Sequence, residues 1–105
     1  MLDTTPLTAA ADRFADRLRS APQSRLQRGA AAVGLELARE LSARAQRLES
    51  PDAAVRIMPD AGVFAVADQV AVAAHDLAEE LRTAPSVELD EAVKSVKAAE
   101  AGSGL

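Results

Sequence analysis

Residues 50–66 read Ser50-Pro51-Asp52-Ala53-Ala54-Val55-Arg56-Ile57-Met58-Pro59-Asp60-Ala61-Gly62-Val63-Phe64-Ala65-Val66, and the way this stretch divides decides the fold. Two β-branched runs, Val55-Arg56-Ile57-Met58 and Val63-Phe64-Ala65-Val66, flank a proline, an aspartate and a glycine, the residues of a tight turn. That division gives a short β-hairpin at about 55–66 and an α+β fold. The competing division starts a helix at Pro59 and carries it to Arg82. Val63, Ala67, Val70, Ala74, Leu77 and Leu81 then alternate in steps of four and three, an apolar face at helical period. Six positions in phase outweigh two short runs, so the expectation is all-α, with the hairpin as the alternative.

Upstream, the punctuation is also helical. Thr5 before Pro6 reads as an N-cap with proline in the first turn, and Leu7, Ala11, Phe14 and Leu18 form one face. Arg17 and Arg19 sit where cations oppose the helix dipole, and Pro22 ends the segment. A second segment, about 22–49, carries the stripe Leu26, Ala30, Val33, Leu37, Leu41, Ala45 and Leu48. Unbroken, it would be a nearly straight helix of roughly 40 Å at 1.5 Å per residue. Gly29 and Gly34 each cost a helix about 1 kcal/mol relative to alanine. They suggest either a close backbone neighbour or a break near Gly29. Ser50-Pro51-Asp52 turns the chain, and Thr83-Ala84-Pro85-Ser86 leads into a last helix at about 87–101 bearing Leu89, Val93 and Val96, with a frayed tail at 102–105 expected. The whole is expected to be a single domain, 1–105, with helices at about 6–20, 22–49, 59–82 and 87–101. The second and third should form a long antiparallel hairpin.

Composition narrows the chemistry. The chain has 105 residues, no cysteine, no tryptophan, no tyrosine and one histidine. Disulfides, thiolate nucleophiles and multi-histidine metal sites are therefore out of reach of a single chain. No phosphate-binding glycine loop, dinucleotide fingerprint or nucleophile elbow occurs, and no family resemblance is identified. The reading is accordingly not an enzyme, with no cofactor and no metal. Of 51 hydrophobic residues 25 are alanine, which leaves a thin core. Charge is uneven: residues 1–50 carry eight arginines and six acids, residues 51–105 four basic groups and ten acids. No signal peptide or span-length apolar run is seen, so a cytoplasmic protein with no membrane association is expected.

Three sets of residues are candidates for function. Beside the leucine stripe lie the small residues Ala31, Gly34 and Ala38. Together with Leu26, Leu35 and Val72, two of which interrupt otherwise polar faces, they are candidates for an oligomer interface. Arg25, Arg28, Arg39 and Arg47 form a stripe that could track nucleic-acid phosphates. Glu36 within the stripe, Glu40 at its edge and the overall acidity weigh against that, and favour a solvated face. Asp68, His75 and Glu79 could approach one ligand, although an ordinary surface His–Glu pair has the same spacing. The leading expectation is a non-enzymatic helical interaction protein, a homodimeric adaptor or small regulatory subunit acting on a protein partner. A nucleic-acid-associated regulator is the alternative, and a ligand- or metal-binding module around His75 the third.

Overall fold

A computed structural model describes residues 1–105, and every regular element in it is helical. Helix α1 spans Thr5–Ser20, α2 is a single turn at Gln23–Arg25, α3 spans Ala31–Glu49, α4 Val66–Leu81 and α5 Ser86–Gly102. The all-α bundle expected from the apolar periodicity is what forms, and the β-hairpin alternative is not.

The segment expected as one helix over 22–49 is broken. Between α2 and α3, residues Leu26–Ala30 form a wide π-type turn in which Gly29 takes φ 155°, ψ −22°. Side-chain-bearing residues avoid that backbone state, so glycine is what permits the break. Leu26 and Ala30 stay buried on either side of it, and so the leucine stripe runs through the break and conceals it.

The helix expected over 59–82 begins later, at Val66. Gly62 adopts φ 96°, which no helix accommodates, and the Asp60 carboxylate accepts its N–H at 2.8 Å. Val63, the first residue of the predicted face, lies in the turn before the helix but still packs against the core. The tail at 102–105 is docked rather than frayed. Ser103 is buried and donates its hydroxyl to the Glu100 carbonyl at 2.7 Å, Arg25 donates to the Gly104 carbonyl at 2.9 Å, and Leu105 packs on the core.

The central pair is α3 and α4, but it is not an antiparallel hairpin. Gly34 lies against Val66 at the N-terminal ends of both helices, and Ala45, Gln46 and Glu49 share a groove with Asp76, Glu79 and Glu80 at the C-terminal ends. The two helices therefore run parallel. Short connections produce antiparallel neighbours. Here the connection, residues 50–65, is long enough at about 3.3 Å per residue to travel back along the whole pair. Helix α1 runs antiparallel to α4, with Arg19 at Asp68, Asp12 at His75 and the Leu2 N–H on the Arg82 carbonyl. Helix α5 closes the other side, antiparallel to α3, with Arg44 reaching Ser95 near one end and Arg25 reaching Gly104 at the other. The core is one cluster of 24 buried residues, 11 of them alanine, centred on Phe14, Leu41, Leu77 and Leu81. No helix is long and apolar enough to cross a membrane.

Candidate functional site

The return connection is the structural feature that carries exposed chemistry. Residues 54–61 adopt neither helix nor turn, yet side chains of the two helices beneath hold them in place. The Gln46 amide binds both backbone groups of Arg56, accepting its N–H at 2.8 Å and donating to its carbonyl at 2.9 Å. The Arg39 guanidinium donates to the Met58 carbonyl at 2.8 Å, and the Gln69 amide to the Pro59 carbonyl at 3.0 Å. A residue offers its N–H and C=O to one partner on the same side when its backbone is extended. Residues 54–59 thus form an extended strap along the α3–α4 seam, half-burying Met58.

Large apolar side chains are exposed along this side. Ile57 on the strap is 77% exposed, Phe64 in the turn before α4 74%, and Val72, on the outward face of α4, 59%. Beside Ile57 and Met58 lies a groove of about 570 Å³ between the C-terminal halves of α3 and α4. Its rim carries Glu49, Asp76, Glu79 and Glu80 against the single cation Arg56. Glu79 is paired with Arg82 at 3.3 Å, whereas Glu49, Asp76, Glu80 and Arg56 make no ion pair within the chain.

The sequence-derived candidates are dispersed. Leu26, Ala31, Gly34, Leu35 and Ala38 are all covered by the chain's own helices. A Cβ built on Gly34 would lie 2.5 Å from Val66 Cγ1 and 3.2 Å from Leu18 Cδ1, so the close neighbour that the glycine anticipates is intramolecular. Of the six interface candidates only Val72 is exposed.

The arginines are divided in the same way. Arg39 is committed to the strap and Arg25 to the C-terminal tail, while Arg28 and Arg47 are exposed and form no ion pair. Asp68, His75 and Glu79 do not converge on one point. Asp68 accepts from Arg19 at 2.9 Å, His75 Nε2 lies 3.0 Å from Asp12 Oδ1, and Glu79 accepts from Arg82. The hydrogen bond to Asp68 is the main reason the Arg19 guanidinium is held above its ordinary pKa. No group of three or more potential ligands that could hold a metal occurs anywhere in the fold.

Two features escaped the sequence reading. Glu100, only 6% exposed, accepts from Arg13 at 2.7 Å and from Arg17 at 3.0 Å, tying α5 to α1. Those bonds, Arg13's first, hold its carboxyl below the ordinary carboxylate value against the opposing effect of burial. A signal was present, since Glu100 continues the spacing of Leu89, Val93 and Val96 and so falls on the buried face. Gln46 gave no signal, because its role depends on where the strap returns.

Comparison with protein-family models, with curated proteins and with solved structures finds no match to this chain.

Proposed function

We propose that the chain is a small non-enzymatic interaction protein, an adaptor or regulatory subunit, and that its docking face is the strap and the adjoining surface of α4. The observation that carries this reading is the outward presentation of Ile57 on a strap that Gln46, Arg39 and Gln69 hold in place, with Phe64 exposed in the turn that follows it. Single exposed apolar residues are ordinary on protein surfaces. Large ones held on a pinned connection are pre-organised for contact, because little ordering remains to be done on binding. The small-residue strip of Ala31, Gly34 and Ala38 is packed inside the chain's own core, so the face available to a partner is a different one.

Native purification from the host, with light scattering on the eluted species, tests the reading. The wild-type chain should elute with a stoichiometric partner or as an assembly. The double substitution Ile57→Asp, Phe64→Asp should release it as a monomer with an unchanged melting temperature. A monodisperse wild-type monomer that retains nothing would overturn the proposal.

A further inference from the structure

Strand propensity in Val55-Arg56-Ile57-Met58 is not satisfied within the fold, although the segment is extended. In an extended chain, alternate residues direct their N–H and C=O to opposite edges. Arg56 directs both of its groups and Met58 its carbonyl toward α3, where Gln46 and Arg39 bind them. Val55 and Ile57 must then direct theirs to the other edge, and no hydrogen bond within the protein reaches either residue's backbone. Gln46 stands in for a neighbouring strand on the inner edge. The outer edge is engaged only at Pro59, whose carbonyl accepts from Gln69 of α4, and is open at Val55 and Ile57, next to a groove lined across from them by Asp76, Glu79 and Glu80 of α4.

We infer that this edge takes an added β-strand: an extended, lysine- or arginine-bearing segment of a partner protein, paired with the backbone of Val55 and Ile57 and lying along the acidic wall of α4. Strand addition draws its affinity from main-chain hydrogen bonds and its selectivity from alternate side chains. The side chains that would meet those of the added strand are apolar at Ile57 of the strap and anionic at Asp76 and Glu80 of α4, and neither carboxylate has a cationic partner in the chain. Charge decides between a foreign segment and a second copy. The strap of another copy brings Asp52 and Asp60 along with Arg56, and two like-charged grooves would face each other. A cationic segment removes that repulsion. This inference rests on reading the chain as an interaction protein and specifies what it holds.

The test uses the full chain and three fluorescein-labelled peptides. One alternates lysine and valine, one is its analogue N-methylated on alternate amides, and one is a helix-forming peptide of equal charge. The alternating peptide should bind, and N-methylation should weaken it by about tenfold through the loss of main-chain bonds. Ile57→Pro removes the free N–H while leaving the Gln46 and Arg39 bonds to the strap in place, so it should weaken binding to a similar degree. Asp76→Asn with Glu80→Gln should reduce both the affinity and its dependence on salt.

Equal binding of the N-methylated peptide to the wild-type chain overturns the inference whether or not the proline variant folds. So does failure of the alternating peptide to bind. If only the helical peptide binds, strand addition fails while the interaction reading stands.

Discussion

Replacing Gly34 with alanine sets two effects of opposite sign against each other, and the geometry decides between them. Inside a helix, alanine is favoured over glycine by about 1 kcal/mol. The new methyl would sit 2.5 Å from Val66 Cγ1, closer than packed carbons tolerate, and 3.2 Å from Leu18 Cδ1. Leu18 can yield at the end of a flexible side chain. Val66 cannot, because a β-branched residue in a helix has one preferred rotamer and this one is buried at the start of α4. Overpacking of this kind costs about 1–3 kcal/mol. Gly34→Ala should therefore destabilise the chain by about 1 kcal/mol net, lowering the melting temperature by roughly 4–8 °C.

With no tryptophan or tyrosine, unfolding is best followed by far-ultraviolet circular dichroism. Val66→Ala in the same background should return about 1 kcal/mol as favourable coupling in a double-mutant cycle. A Gly34→Ala chain as stable as the parent would refute the reasoning. A melting shift that varied with protein concentration would place Gly34 at an interface between copies instead.

The break before α3 makes a separate prediction. Gly29→Ala meets no atom within 4 Å but must adopt φ 155°, so it should cost about 1–2 kcal/mol through backbone strain alone. Gly102→Ala, equally unobstructed and helical, should cost nothing measurable when both variants are unfolded in urea and followed by circular dichroism. Glu100→Gln should cost about 1 kcal/mol, at the low end for a charge-assisted bond because the Arg13 guanidinium is largely solvated. Because folding lowers the Glu100 carboxyl from its ordinary value of 4.5, its contribution is complete above that pH and is lost as pH falls through the lowered value. The stability gap between parent and variant should accordingly be constant above pH 4.5 and close below it.

Helix content was legible because it depends on neighbours in sequence. The stripe at Leu7–Leu18 locates α1 within a turn and that at Val63–Leu81 locates α4, although the expected start at Pro59 lies seven residues before the observed one at Val66. Pro22, Pro51 and Pro85 separate the elements. The break at Gly29 was legible only as an alternative, since one residue's φ leaves the apolar period intact on either side. Helix direction was not legible at all. Nothing in Leu26–Leu48 or Val63–Leu81 distinguishes a parallel from an antiparallel partner; that depends on whether residues 50–65 turn sharply or travel back. The β-branched run at 55–58 was a real signal of extended backbone, although its inner partner proved to be the Gln46 amide rather than a second strand. The interface candidates were misplaced for a related reason. A strip of small residues signals close approach without saying whose backbone approaches, and here Val66 of the same chain does.

A core in which 11 of 24 buried residues are alanine has a consequence for its thermodynamics beyond its small area. A buried leucine gives up about 0.5–1 kcal/mol of rotamer entropy on ordering, and alanine gives up none. The interior gains little from each methyl it withdraws from water, but it also has few side-chain freedoms to freeze. Selection among alternative packings then falls less to interlocking side chains than to the paths of the helix axes, and so to the long return that residues 50–65 make between two helices running the same way.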